Sequence, residues 1–270
     1  MIARLSLSLF MVFLAGCVTV PVDERLQNFS EHGLWRGVTR YRYRVFEPAG
    51  RDPQEKLPVI LFLHGSAARG SDNERQVGEF SFLSKDKDLK FIAVLPQCPE
   101  GKFWTGEMSE VAYAELDQTI ADYNGDRSRV SLVGYSMGGY GVWQLATDHP
   151  GQFAALVSVA GGVMALPTLD PSLKVNLPPT EAGDTPYTAV ARRVGNSAVW
   201  IFHGDRDDTV SVEESRNLYS AFTQLGRSDV RYTELKDVDH ASSIKTLQDP
   251  QLLDWLGKQK LPEDATSESR

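Results

Sequence analysis

A serine flanked by glycines is the first candidate for chemistry, within the sequence Gly-Tyr-Ser-Met-Gly-Gly at residues 134–139. The apolar run Val130 to Val133 precedes it, and a helical pattern from Tyr140 to Asp148 follows it. A strand, a sharp turn and a helix in this order present a serine hydroxyl above the edge of a sheet. The pattern predicts that Ser136 is a nucleophile, with glycines where side chains would clash with neighbouring backbone.

A nucleophilic serine requires a general base, and the chain contains five histidines. His64 and His203 each end an apolar run and precede a glycine, which indicates structural roles at strand ends. His32 precedes the first strong strand pattern, and His149 lies at a predicted helix end. His240 lies in a polar loop after the last predicted strand. This position predicts His240 as the base, with a solvated loop histidine as the alternative.

The acid that orients the base should lie between the serine and the histidine, just after a strand. The run Val199 to Phe202 ends in such a position and is followed by Asp205, Asp207 and Asp208. Spacing alone does not choose among these three carboxylates.

Six motifs along the chain point to a known family. They are LHGS at 63–66, RGSDN at 69–73, LPQCP at 95–99 with Trp104, GYSMGGYG at 134–141, FHGD at 202–205 and DWL at 254–256. Together they resemble a branch of the α/β-hydrolases, the bacterial secreted carboxylesterases often labelled predicted peptidases. This branch is related to phospholipase/carboxylesterases, feruloyl esterases and polyhydroxybutyrate depolymerase-like proteins. The resemblance covers about residues 35–258.

The resemblance implies roles for several residues of the site. In this branch the acid is the aspartate of H-G-x-x-D-x-x-V, which is Asp207 here, with Asp208 as the second choice. The backbone N–H groups of Met137 and Ser66 are the implied donors to an oxyanion. The family more often reads HGSGERG where this chain reads HGSAARG at 64–70, so the loop shape and the substrate contacts should differ.

The N-terminus has the features of a bacterial lipoprotein signal. A basic start at residues 1–4 and a short apolar run at 5–15 are typical of a secretory signal peptide. The sequence Leu-Ala-Gly-Cys at 14–17 resembles a lipoprotein cleavage site, which predicts residues 1–16 as the signal and Cys17 as the lipidated residue. Val18 and Thr19, and no aspartate, come directly after Cys17, so the outer membrane is expected if the cell has two membranes. Ordinary secretion with an incidental Cys17 is the alternative.

The composition agrees with one exported enzyme domain. Removal of the signal leaves about 250 residues, enough for a large α/β domain. A formal net charge of −8 argues against nucleic acid as a partner. With Cys17 lipidated, Cys98 stands alone, so neither an internal disulfide nor a cysteine metal cluster can form. No metal or other cofactor is expected.

Apolar runs that alternate with helical patterns predict an α/β-hydrolase fold, a mostly parallel twisted sheet with helices on both faces. The predicted strands are one or two within 35–46, then 59–63, 91–95, 130–133, 156–159, 199–202 and 230–235. The predicted helices are 79–84, 111–123, 140–148, 213–225 and 244–257. We expect a linker at 17–33, the hydrolase domain at 34–260 and a polar tail at 261–270.

Two features near the predicted site have open interpretations. Residues 163–195 are rich in proline and lack periodicity, which favours a lid or rim loop at the active site or a disordered surface loop. Trp104 is a candidate aromatic wall for a substrate, and core packing or loop anchoring is the alternative.

The combined prediction is a serine carboxylesterase that works through an acyl-enzyme. Its substrates are expected to be small-molecule or polysaccharide-linked esters, with feruloyl, acetyl and short-chain acyl groups as candidates. A serine peptidase of the same fold is one alternative, and a non-catalytic surface lipoprotein is the other.

Overall fold

A single mixed sheet organises the part of the chain that the computed structural model describes, which is residues 26, 28–85, 89–164, 174–176 and 180–262. Eight strands lie in the order β1-β2-β4-β3-β5-β6-β7-β8. Their bounds are β1 Phe29–Arg36, β2 Thr39–Phe46, β3 Leu57–Leu63, β4 Ile92–Pro96, β5 Gly125–Tyr135, β6 Ala155–Val159, β7 Ala198–Gly204 and β8 Val230–Leu235. The predicted signal peptide and Cys17 lie outside the described residues.

The sheet is parallel from β4 to β8 and antiparallel at its first edge. Strand β1 pairs antiparallel with β2, and β2 pairs antiparallel with β4. The remaining neighbours, from β4 and β3 through β8, run parallel. The carboxyl ends of these six strands therefore meet at one edge, where loops can converge on a common site.

Helices cover both faces of the sheet, as predicted. Their bounds are α1 Arg75–Gly78, α2 Glu107–Asp122, α3 Met137–Asp148, α4 Pro186–Arg193, α5 Glu213–Gln224, α6 His240–Ser243 and α7 Pro250–Lys258. Apolar residues of α2 to α5 form one buried layer with the sheet. Apolar residues of α1 and α7 form the other layer with the opposite face.

Strand β3, which leads into the predicted site, is completely buried. All seven of its residues, Leu57–Leu63, are buried. A strand covered on both faces reads as a continuous apolar run, and this is why its position was predicted well. Its last residues lead into the loop that carries Ser66.

The predicted linker at 17–33 overlaps the first strand, so its boundary was wrong within the described residues. Strand β1 begins at Phe29 and pairs with β2 from Phe29 opposite Phe46 to Arg36 opposite Thr39. Only Phe29 of β1 is fully buried. An edge strand with so little buried surface lacks the clear alternation of apolar and polar residues from which strands are predicted.

The segment 163–195 contains a helix that the sequence pattern did not predict. Helix α4 begins after Thr185, whose hydroxyl accepts a hydrogen bond from the Thr188 N–H, and Pro186 occupies its first turn. Thr188 returns the contact, so the two threonines form a capping box. Residues 165–173 and 177–179 lie outside the described part, and the predicted lid role remains a prediction.

The predicted helix at 79–84 is displaced. The structure has α1 at Arg75–Gly78 and then a 3-10 helix at Ser81–Lys85. Among the described helices, none is long and apolar enough to cross a membrane.

Candidate active site

The backbone at Ser136 makes a sharp turn between β5 and α3. Ser136 has φ +54°, a value that is uncommon for any residue except glycine. An added Cβ at Gly134 would lie 2.2 Å from the Gly138 carbonyl oxygen, and one at Gly138 would lie 1.8 Å from the Leu63 oxygen. The two glycines are therefore required by close backbone contacts, as the sequence pattern predicted.

The structure brings Ser136, His240 and Asp207 into one hydrogen-bonded chain. His240 Nε2 lies 2.8 Å from Ser136 Oγ, and His240 Nδ1 lies 2.7 Å from Asp207 Oδ2. Because a carboxylate only accepts, Nδ1 carries the proton and donates it to Asp207. Nε2 is then the acceptor for the Ser136 hydroxyl, which is the arrangement a general base requires.

A helix cap and a hydrogen bond from Tyr135 hold the backbone of His240 in place. His240 is the first residue of α6, and the Asp239 carboxylate caps this helix by accepting from the Ser242 N–H at 2.7 Å. The Tyr135 hydroxyl donates to the His240 carbonyl oxygen at 3.0 Å. Tyr135 precedes Ser136, so the turn that carries the serine also contacts the backbone of the histidine.

Four N–H groups surround the Asp207 carboxylate. Oδ1 accepts from the backbone N–H groups of Thr209 and Val210, at 2.9 Å and 2.8 Å. Oδ2 lies near ring nitrogens of both His240 and His203, with the His203 contact at 3.2 Å. Burial alone would raise the pKa of Asp207, but hydrogen bonds from His203, His240 and Val210 hold this pKa well below its usual range. Asp207 is therefore a carboxylate at neutral pH.

The other two candidate acids point elsewhere. Asp205 is exposed, and its Oδ1 accepts from the Asp237 N–H at 2.7 Å. Asp208 is also exposed, and it accepts from the Thr209 hydroxyl at 3.3 Å. Neither of these carboxylates hydrogen-bonds to His240 within the described residues.

The two predicted oxyanion donors occupy the first positions of helical turns. Met137 begins α3 and Ser66 begins the 3-10 turn Ser66–Ala68, so neither backbone N–H has an acceptor within its own helix. An added Cβ at Gly138 would also lie 3.0 Å from the His64 carbonyl oxygen, which shows how closely α3 approaches the loop leading to Ser66.

Trp104 is a loop anchor in this structure, so its predicted place as a substrate-binding wall is wrong. It is 1% exposed, and its ring nitrogen donates to the His64 carbonyl oxygen at 3.0 Å. An added Cβ at Gly141 would lie 2.6 Å from the Trp104 Cβ, so the side chain packs directly on α3. A substrate cannot contact a ring that is already enclosed by the loop and the helix.

His64 stabilises the same loop. Its Nε2 lies 3.0 Å from the Cys98 backbone nitrogen and accepts that N–H, while Nδ1 donates to the Gly65 carbonyl oxygen at 2.7 Å. Burial lowers the pKa of His64 to about 4, so it is neutral at neutral pH and can make both bonds. The structural role predicted for this histidine agrees with these contacts.

Two further residues at the site were not predicted to contact it. Glu79 accepts a hydrogen bond from the Gly65 N–H, at 3.0 Å to Oε2. His203 Nε2 lies 2.9 Å from the Val210 carbonyl oxygen, and its Nδ1 lies 2.7 Å from the Ser215 hydroxyl. Nothing in the sequence spacing links Glu79 to this loop. The FHGD motif contains His203 and ends two residues before Asp207, so it could have placed His203 beside the acid.

Glu214 ties together both ends of the segment 163–195. One carboxylate oxygen accepts from the backbone N–H groups of Val163 and Met164, at 2.7 Å and 3.0 Å. The other accepts from the Tyr187 hydroxyl on α4 at 3.0 Å. This carboxylate therefore links the first residues of the segment to helix α4, which lies near the end of the segment.

A family model for the alpha/beta hydrolase fold matches residues 58–197. The chain belongs to the α/β-hydrolase family. The described part of the chain contains no cluster of three or more His, Cys, Asp or Glu side chains that could hold a metal ion.

Proteins similar to this chain include a putative esterase in sequence and, in fold, solved structures of an esterase and of a peptidase. The chain is 29% identical to the "Putative esterase NocK" of Nocardia uniformis subsp. tsuyamanensis over 144 residues, which are 48% of this chain and 40% of that protein. Its fold matches a thermostable esterase with a TM-score of 0.70 and 26% identity, over 87% of this chain and 64% of that one. The acylaminoacyl peptidase of Pyrococcus horikoshii matches with a TM-score of 0.64 and 17% identity, over 88% of this chain and 43% of that one. The chain thus spans less than two thirds of the length of each of these proteins.

The environment of Glu79 predicts a pH-dependent contribution to the stability of the protein. Burial raises the pKa of Glu79 to about 7 from an ordinary value of 4.5, although the Gly65 N–H lowers it. The folded protein therefore holds this proton more tightly than the unfolded chain, and the associated stability is lost as the pH rises through about 7. Relative to Glu79→Gln, the wild-type free energy of unfolding should fall by an amount on the order of 1 to 3 kcal/mol between acid and neutral pH.

Urea unfolding at a series of pH values measures this difference. Glu74→Gln, at an exposed glutamate of the same segment, is the matched control and should parallel the wild type at every pH. A constant difference between the wild type and Glu79→Gln across the series would contradict the expected titration.

Proposed function

We propose that the protein is a serine carboxylesterase that hydrolyses carboxylic esters through an acyl-enzyme. The observation that supports this most directly is the chain of contacts from Ser136 through His240 to Asp207, at 2.8 Å and 2.7 Å. The family membership and the esterases among the relatives support the hydrolase class.

In the proposed first step, Ser136 Oγ bonds to the ester carbonyl carbon while its proton passes to His240 Nε2. The imidazolium that forms is stabilised by the buried Asp207 carboxylate. The carbonyl oxygen becomes an oxyanion, and the backbone N–H groups of Met137 and Ser66 donate to it. In studied hydrolases the removal of one such donor costs about 3 kcal/mol of transition-state stabilisation.

Collapse of this tetrahedral intermediate breaks the bond between the carbonyl carbon and the alcohol oxygen. His240 gives its proton to the departing alcohol, which leaves an acyl group on Ser136. Water then attacks the acyl carbon and loses a proton to His240, and the second collapse returns that proton to Ser136. The carboxylic acid is released and no cofactor is consumed.

The proposed substrates are small-molecule or polysaccharide-linked esters with feruloyl, acetyl or short-chain acyl groups. The resemblance of the sequence motifs supports this class. The segment 163–195, held by Glu214 at Val163 and at Tyr187, is proposed to form a rim that limits substrate size.

A peptidase is the second candidate, because the fold is shared with an acylaminoacyl peptidase. The same three side chains can open an amide, so the two activities differ in substrate recognition. A panel of aryl esters from acetate to long-chain acyl groups, with methyl ferulate and a peptide amide, separates them. Turnover of the amide in preference to all the esters would favour the peptidase.

Ser136→Ala should abolish ester hydrolysis without loss of the fold, because it removes only the oxygen that attacks. A serine-directed phosphonate should inactivate the wild type with one label on Ser136, measured by mass spectrometry of peptides. Circular dichroism of the variant checks its fold. Ester hydrolysis by a folded, unlabelled Ser136→Ala variant would exclude this serine as the nucleophile.

Asp207→Asn should lower turnover by on the order of 10⁴, as the equivalent change does in serine proteases. The amide oxygen can keep the two backbone contacts of Oδ1, while the amide NH₂ then faces His240 and imposes the wrong tautomer. Asp208→Asn removes the same charge from the next, exposed residue and should leave turnover within a few-fold. Steady-state kinetics of both variants test the assignment, and a larger loss for Asp208→Asn would overturn it.

We also propose that the protein is exported and anchored to the cell envelope by acyl chains on Cys17, in the outer membrane of a cell with two membranes. Support comes from the signal pattern at residues 1–17. Cells fed labelled palmitate should incorporate the label into the wild type and not into Cys17→Ser. A label that persists in Cys17→Ser would exclude lipidation at this residue.

A further inference from the structure

The hairpin of β1 and β2 projects beyond the rest of the sheet. Strand β2 pairs with β4 only from Tyr43, opposite Pro96, to Phe46. Residues 39–42 of β2 pair with β1 alone, so the hairpin extends about 13 Å past β4 at the usual rise per residue. Pro96 is the carboxyl end of β4, so the hairpin projects on the same edge of the sheet as Ser136.

The end of this hairpin, residues 35–40, carries the most exposed large apolar side chains of the described part. Val38 is 96% exposed and Trp35 is 65% exposed, against 39% for Met164 and 37% for Tyr219. We call residues 35–40 the hairpin tip.

The hairpin tip is basic on a chain whose formal net charge is −8. Arg36 and Arg40 are exposed, and neither forms an ion pair with any described residue. The nearest acid on β1, Glu31, is already paired with Arg42 at 2.9 Å. The tip therefore presents two guanidinium groups that form no ion pair with a described residue, beside two exposed apolar side chains.

The apolar side chains lie at the end of the hairpin and one basic group lies behind them, which is the order in which a membrane surface accommodates apolar and charged groups. Trp35 is directly opposite Arg40 across the hairpin. An added Cβ at Gly33 would lie 2.4 Å from Arg40 Nε, so this guanidinium is directed back along the hairpin, away from its end. Trp35 and Val38 would thus enter the interface first, with the Arg40 charge at the level of the headgroups.

We propose that the hairpin tip docks on a membrane surface that contains anionic phospholipid. Two apolar side chains are too few for a stable protein interface, which buries about 800 Å² per partner. A projecting tip also lacks the concave walls that hold a small ligand. Insertion of a tryptophan beside basic residues into an anionic membrane interface requires neither a large buried area nor a concave pocket.

The tip is built to dock with little loss of conformational freedom. All eight residues of β1 pair with β2, from Phe29 to Arg36. Gly37 has φ +58°, as the first central position of a type II′ turn requires, and Val38 follows it. Trp35 therefore lies on a paired backbone, and Val38 lies in the tight two-residue turn that joins the strand ends.

Docking through the tip would direct the candidate active site toward the lipid. Strand β5, which leads to Ser136, is three strands from β2 in the sheet, or about 14 Å at the usual strand spacing. The inference depends neither on ester hydrolysis nor on lipidation of Cys17.

Trp35 fluorescence provides a local test with the full chain. The other four tryptophans are at most 9% exposed, so a blue shift and quenching by brominated lipid report on Trp35. Vesicles of phosphatidylglycerol should quench the emission, and vesicles of phosphatidylcholine should do so much less. Trp35→Phe should lose the quenchable component altogether.

Charge variants test the choice of lipid. Arg36→Gln with Arg40→Gln should raise the phosphatidylglycerol concentration needed for half-maximal quenching. The expected rise is about 30-fold, because the loss of each Arg should weaken vesicle binding about fivefold. Lys56→Gln with Lys258→Gln removes the same charge from exposed residues elsewhere and should change it little. Ester hydrolysis in solution should be unchanged in all of these variants, which separates this test from that of the proposed function.

Three results would overturn the proposal. One is that chains bound to vesicles keep Trp35 unquenched by lipid and accessible to acrylamide, which would mean that only the N-terminal segment binds. Another is that Trp35 becomes shielded without lipid as protein concentration rises, together with a doubled mass in sedimentation, which would indicate a second copy on the tip. The third is an equal response to both lipids.

Discussion

The contact between the first turn of α3 and the end of β3 is the constraint on which the candidate site depends. Gly138 lies so close to the Leu63 carbonyl oxygen that no side chain fits between them. This approach allows the helix to begin directly above the strand edge, with Ser136 in a left-handed conformation at its start. It also places two helical turns with free N–H groups, at Met137 and Ser66, at the ends of adjacent strands. The proposed nucleophile and the proposed oxyanion donors therefore share one rigid support.

The buried negative charge of Asp207 is the second constraint. An ionised carboxylate with a fully buried side chain is costly unless its oxygens are satisfied. Here two backbone N–H groups of its own turn and two histidine rings face it. His203 is itself held by the Ser215 hydroxyl and the Val210 carbonyl oxygen. The carboxylate that faces His240 is thus held by its own turn and by His203, in addition to its contact with His240.

The sheet and its alternation with helices could be predicted because the central strands are covered on both faces and read as apolar runs. Ser136 and His240 could be placed from the order of motifs, since a glycine-rich turn and a late polar loop have few alternative meanings in this fold. The choice of Asp207 came from resemblance rather than spacing, because three aspartates follow β7 and only the folded turn separates the buried one from its exposed neighbours.

Other features depend on contacts that a sequence pattern does not encode. Trp104 and Glu79 contact the loop after β3. The sequence pattern could not choose loop anchoring over a substrate wall for Trp104, and it did not indicate the contact of Glu79. Strand β1 has one fully buried residue, Phe29, and helix α4 has only a short buried stretch, Ala189 to Ala191. The periodicity of apolar residues is weak where few residues are buried.

The two outer strands of the sheet have a consequence for self-association. Strand β1 includes Glu31 and Arg36, and β8 includes Arg231 and Glu234, among residues that are mostly partly or fully exposed. Glu234 is further held by Arg216 of α5 at 2.6 Å. An incoming strand from another chain would have to strip water from these charges before its backbone could pair. Both margins of the sheet therefore resist the edge-to-edge stacking that leads to aggregation, even though each offers unpaired peptide groups.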